Sequence, residues 1–194
     1  MSALKSVLFL IPLVLLVSGS VLAKNSKKIL MIIAHQNFRD EELLIPKELF
    51  EKEGYEVVIA SSSLKPAKGM LGALVTPQIL LDQVEVKDYD AIVFVGGIGA
   101  QEYFHNTKAH KIAKEALSQG KVLGAICLAP RILAEAGVLK GKKATVWSSE
   151  GKVLEEKGAE YTGKPVEVDG KVVTGSGPQA AEEFAKSILK LLKS

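Results

Sequence analysis

A chain of 194 residues is close to a single domain, taking about 150 residues as the usual unit. Its 25 Lys and Arg stand against 22 Asp and Glu, a net charge of +3. That is too even for a protein that grips nucleic acid through a clustered basic surplus. Hydrophobic residues at 47% with 24% charged exclude a disordered chain, and the single cysteine excludes an internal disulfide or a thiolate metal cluster.

Chain order starts with a leader. Lys5 precedes the apolar run SVLFLIPLVLLV (residues 6–17) and the small-residue stretch SGSVLA ending at Ala23. Those are the three parts of a secretory signal peptide, with Val21 and Ala23 at the −3 and −1 positions. The expectation is a signal peptide over residues 1–23, a mature domain over residues 24–194, and a periplasmic or secreted location. The alternative is an uncleaved membrane anchor, which Pro12, Ser18, Gly19 and Ser20 weaken.

The mature chain alternates strands and helices. KILMIIA (28–34) is an apolar run too short for a helix and reads as a buried strand. Residues 40–53 read as a helix closed at Gly54, and YEVVIAS (55–61) as a strand. AIVFV (91–95) is a strand running into Gly96–Gly97, 109–118 a helix closed at Gly120, and KVLGAI (121–126) a strand. A helix follows over 128–136, short strands at 144–147, 166–168 and 172–174, and a terminal helix over 178–192. Such alternation implies crossover units and a parallel sheet. Asp169–Gly170 between two alternating runs signals a hairpin, and GMLGALV (69–75) a second small β excursion. The expected fold is a flavodoxin-like three-layer α/β/α sandwich with a little antiparallel β, in one domain.

Ligands of open parallel sheets sit beyond the carboxyl ends of the strands. Cys127 stands at such an end, between Ala125-Ile126 and Leu128-Ala129. Small residues two before and two after a nucleophile are what a tight elbow turn requires. A thiol at the start of the following helix is expected to have a lowered pKa. The bland alternative is a buried inert cysteine.

Residues 124–145, GAICLAPRILAEAGVLKGKKAT, resemble the elbow segment of the ThiJ/PfpI superfamily, which includes PfpI-type peptidases and deglycase-like proteins. The likeness extends to residues 28–46, 94–101 and 166–178 in the family's order. It implies a flavodoxin-like domain of the class I glutamine amidotransferase type. It also implies that Glu42, four residues before Pro46, is the acidic partner of Cys127, with Asp40 and Glu41 as competitors. The backbone amides of Gly96, Gly97 and Leu128 become oxyanion donors. A homodimer or larger homo-oligomer is implied by resemblance alone.

Two departures matter. The peptidases carry His directly after the cysteine, where this chain has Leu128, which cannot take a proton. The deglycase-like branch has His twenty residues beyond the cysteine, where this chain has Trp147. The peptidase subgroup's Glu after the glycine pair falls one step from Glu102. Of the three histidines, His110 reads as part of a solvated helix face, while His35 and His105 are candidates to line the site. Their spacing makes no metal site, and no nucleotide fingerprint follows the glycines, so neither a metal nor an organic cofactor is expected. The functional expectation is chemistry on a small reactive carbonyl, with Cys127 as nucleophile and Glu42 moving protons. One alternative is a redox sensor acting through Cys127 oxidation by a small oxidant; a second is a PfpI-type peptidase. No nucleic-acid partner is expected, and membrane contact only through an uncleaved leader.

Overall fold

The computed structural model describes residues 27–194, so the signal peptide expected over residues 1–23 lies outside the described residues. In chain order the elements are β1 (Lys28–Ile32), β2 (Gln36–Phe38), α1 (Asp40–Lys52), β3 (Glu56–Ser61), β4 (Ala67–Gly69), β5 (Leu74–Val75) and β6 (Ile79–Leu80). Then come β7 (Ala91–Phe94), α2 (Thr107–Ser118), β8 (Val122–Ile126), α3 (Pro130–Glu135), β9 (Lys143–Ala144) and α4 (Gly151–Glu156). The chain closes with β10 (Glu160–Tyr161), β11 (Val166–Asp169), β12 (Val172–Gly175) and α5 (Ala181–Lys193).

The central sheet runs β11-β12-β8-β7-β1-β3-β6. Every pairing is parallel except β11 with β12. Its middle strands, β7, β8 and β1 from Ile29 onward, are apolar because both faces are covered. From β1, Leu30 and Ile32 face a core shared with Ile112 of α2, Ile132 of α3 and Leu154 of α4. Ile29 and Met31 face the opposite core, with Leu43 and Phe50 of α1 and Phe184 and Ile188 of α5. This is the flavodoxin-like sandwich expected from the alternation of elements. Gly124 in β8 fits its place because a Cβ there would lie 2.8 Å from Ile188 and 3.0 Å from Phe184. The sheet touches α5 through that gap.

Three differences from the sequence reading have physical causes. The hairpin forms, but Asp169 stays paired with Val172, so the two-residue loop is Gly170–Lys171, with Gly170 at φ +61°. The excursion at 69–75 becomes a three-stranded sheet by recruiting β2, whose side chains carry no strand signal. The helix after Cys127 starts only at Pro130 and spans six residues. β1 is flanked by β7 and β3, so successive crossovers leave it in opposite directions. That reversal opens a crevice at the carboxyl ends of β1 and β7.

Candidate functional site

Cys127 is the residue where β8 leaves the sheet. Its φ of +62° is the left-handed conformation that costs a residue with a Cβ about 1–2 kcal/mol. Three neighbours impose it. The Cys127 N–H donates to the Gly175 carbonyl at 2.8 Å, its carbonyl accepts from the Trp147 N–H at 2.8 Å, and the Ala129 N–H reaches back to Ile126 at 3.1 Å. Ala125 and Ala129 are fully buried, so the strand and the departing chain close on each other without side chains between them.

The acidic first turn of α1 sends its three carboxylates to different places. Asp40 is buried and accepts from the Leu71 and Ala73 amides, both at 2.8 Å, fixing the β4–β5 loop. Glu41 takes the Arg39 guanidinium in a two-pronged pair at 2.8 and 3.0 Å. Glu42 is completely buried and faces Cys127. A Cβ built on Gly96 would lie 2.5 Å from Glu42 Oε2 and 2.6 Å from Cys127 Cβ, so that glycine is the space the pair shares. Pro46, four residues on, has no N–H to offer the Glu42 carbonyl.

Burial pushes the Glu42 carboxyl up to about 8, against the opposing pull of the Cys127 thiol, Arg39 and the Gly96 amide. At neutral pH it is mainly the uncharged acid. Neither of its oxygens makes a hydrogen bond of ordinary geometry. The thiol is not lowered as the sequence suggested. Burial first, then the Glu42 charge, push Cys127 up to about 12, while the Gly97 and Leu128 amides pull the other way. The physical reason is that Cys127 is only 7% exposed and precedes a helix too short and too late to supply a strong dipole. Of the three backbone groups, Gly97 and Leu128 therefore serve the sulfur and Gly96 serves Glu42.

Cys127 opens into a cavity of about 370 Å³. Gly97, Leu128 and Trp147 line it with Arg39, Met70, Ile98, Gln101, Ser149, Glu150, Pro178 and Gln179. Glu102, His35 and His105 are not among the lining residues. Glu102 and His105 are exposed, and the latter lies near Glu135. His35 follows β1 with its Nδ1 buried and unpartnered. His110 is half-buried rather than solvated, its Nε2 2.7 Å from the Phe104 carbonyl. Among the described residues no group of side chains could hold a metal ion. Sequence reasoning missed Arg39, although it adjoins the acidic turn. Glu150 and Gln179 gave no signal, since only the tertiary fold brings them to the cysteine.

With this geometry in place, the comparisons with known proteins are informative. The DJ-1/PfpI family model matches residues 27–191. An uncharacterised protein of Methanocaldococcus jannaschii is 44% identical over 88% of this chain and 84% of its own length. Deglycase PfpI of Pyrococcus furiosus is 35% identical over 86% of this chain and 99% of its own. Glutathione-independent glyoxalase DJR-1.2 of Caenorhabditis elegans is 27% identical over 86% and 89%. Among solved structures, a ThiJ/PfpI domain protein from Brachyspira murdochii superposes with a TM-score of 0.85 at 30% identity, covering 87% of this chain and 97% of that one. A family match across nearly all described residues, reinforced by relatives similar along almost their full length, settles the kinship: the chain belongs to the DJ-1/PfpI family.

Proposed function

We propose that the protein acts on small reactive carbonyl compounds, with Cys127 as nucleophile and Glu42 as the proton carrier. The observation that carries this reading is the contact of a strained, strand-end cysteine with a fully buried carboxyl that is uncharged at neutral pH. In the first step the sulfur bonds to the carbonyl carbon. The thiol proton passes to one Glu42 oxygen while the acid proton of the other goes to the carbonyl oxygen, giving a hemithioacetal with Glu42 again protonated. The Gly97 and Leu128 amides stabilise the oxygen as charge builds on it. With a 1,2-dicarbonyl, Glu42 takes the C1 hydrogen as a proton while its acid proton goes to the C2 oxygen. It then returns a proton to C2 as it takes the C1 hydroxyl proton, giving a thioester of a 2-hydroxy acid with Glu42 again protonated. Water then releases the acid and restores the thiol. The deglycase and glyoxalase names of relatives support this class of chemistry.

Methylglyoxal consumption tests it. Cys127→Ser is expected to lower the rate at least about 100-fold, and Glu42→Gln by a comparable factor. Equal rates for wild type and Cys127→Ser would remove the cysteine as nucleophile.

A redox role is the second reading, favoured by the two unpartnered Glu42 oxygens beside the sulfur. A protonated Glu42 can donate to an oxidised sulfur. Mild peroxide followed by mass spectrometry is expected to add two oxygens to Cys127, and an unoxidised Cys127 would discard it. The peptidase reading lacks its proton acceptor: Leu128 follows the cysteine, and among the described residues no histidine lines the cavity.

A further inference from the structure

The cavity has two charged residues in its lining, Arg39 and Glu150, and they are differently engaged. Arg39 is held through Nε and Nη2 by both oxygens of Glu41. Glu150 receives one hydrogen bond, from Arg131 Nη1 to Oε2 at 2.9 Å. Among the described residues, none donates to its other oxygen. Arg131 is itself fixed, its guanidinium stacked 4.5 Å from the Phe104 ring centre and its Nε 3.8 Å from Glu135. Lys157 holds Glu135 in turn at 2.6 Å. The Glu150 carboxylate is thus braced from behind, with a side chain only 18% exposed.

Beside it is an aromatic face. Trp147 lies three residues earlier, and the Glu150 N–H donates to the Trp147 carbonyl at 2.8 Å. The indole packs on Gly177, where a Cβ would lie 3.0 Å from its Cε3 and Cζ3. Yet the residue is 41% exposed and lines the cavity. A part-exposed indole and a braced carboxylate in the lining of one cavity are a pairing that holds organic cations, through cation–π attraction and a charge-assisted hydrogen bond.

We propose that Trp147 and Glu150 form a cation subsite that selects the substrate. An electrophile whose tail carries an ammonium or guanidinium is held there with its reactive carbon at Cys127, and one whose tail carries a carboxylate is rejected. Glu150 and Trp147 are specificity residues in this scheme, and Arg131 positions Glu150. The inference rests on the carbonyl reading for the kind of electrophile, but the subsite can be read without turnover.

The test uses the full chain and two thiol reagents of opposite charge, trimethylammonioethyl and sulfonatoethyl methanethiosulfonate. Cys127 is the single cysteine, so labelling reports the cavity alone. Glu150→Gln keeps an acceptor for Arg131 and removes the charge. It is expected to lower the cation-to-anion rate ratio about tenfold, the size of one partly shielded charge at close range. The exposed Glu183→Gln serves as a control that leaves the ratio unchanged. A second measurement bypasses the thiol. Quenching of the single tryptophan, Trp147, is expected to shift from caesium toward iodide in Glu150→Gln. An unchanged labelling ratio, or unchanged quenching, would overturn the subsite. Methylglyoxal turnover in the same proteins separates the two proposals. A shifted ratio without turnover removes the carbonyl reading alone, and turnover with an unshifted ratio removes the subsite alone.

Discussion

A methyl group at position 96 would have no room. Besides Glu42 and Cys127, the built Cβ meets the Ile126 carbonyl at 2.5 Å, and backbone on that side cannot swing away as a side-chain tip can. Gly96→Ala is expected to lose about 2–4 kcal/mol of stability, read by denaturant unfolding, and to part Glu42 from the sulfur. Glu42 itself carries a pH signature. Its folded pKa of about 8 lies above the ordinary value of 4.5, so between those values the folded state holds more protons than the unfolded one. Stability therefore falls as pH rises from about 4.5 to 8 and levels off above. Glu42→Gln is expected to flatten that slope, and thermal melts across the range measure it. Which of three neighbouring acids meets the cysteine was legible only through family likeness. In the sequence Asp40, Glu41 and Glu42 are equivalent first-turn carboxylates. The partners that separate them, Arg39 and the amides of residues 71 and 73, act through geometry that no local pattern encodes.

At the scale of elements, the buried strands β1, β3, β7 and β8 were readable because continuous apolar runs leave little else for those segments to be. β2 and β6 were not. Two or three residues carry no period, and their pairing depends on strands already in place. α4 also went unread, since six residues opening on Gly151 have poor intrinsic helicity and persist through Leu154 packing into the core. The β4–β5 excursion depends on one side chain in the same way. Asp40→Ala is expected to leave the Leu71 and Ala73 amides without their acceptor and to cost about 1–3 kcal/mol. Hydrogen exchange should quicken at residues 67–75 while β1 and β8 stay protected. Uniform quickening across the sheet would instead make Asp40 a global support.

For the molecule as a whole, the parallel order placed the cysteine, the glycine pair and the acidic turn at one end of the sheet, and this much followed from counting strands and helices. The cavity's far wall did not follow, because Ser149, Glu150 and Gln179 arrive from segments read as connections or as helix. One surface feature bears on assembly. Leu44, Leu71 and Leu74 are 44%, 63% and 70% exposed. Leu44 lies one helical turn from Asp40, which holds the loop carrying Leu71. We propose that this patch supports a homo-oligomer, as the family resemblance implies. Analytical ultracentrifugation is expected to give a dimer or larger species that Leu71→Glu with Leu74→Glu dissociates. A monomeric wild type would discard it.

The direction of β1 has a consequence for how the molecule can be held. The strand enters the sheet at Lys28 and points toward the crevice, so Lys28 and the cavity mouth lie at opposite ends of the strand axis, about 13 Å apart along these five residues alone. A molecule gripped at the Lys28 end of β1 would turn the Cys127 cavity away from the grip.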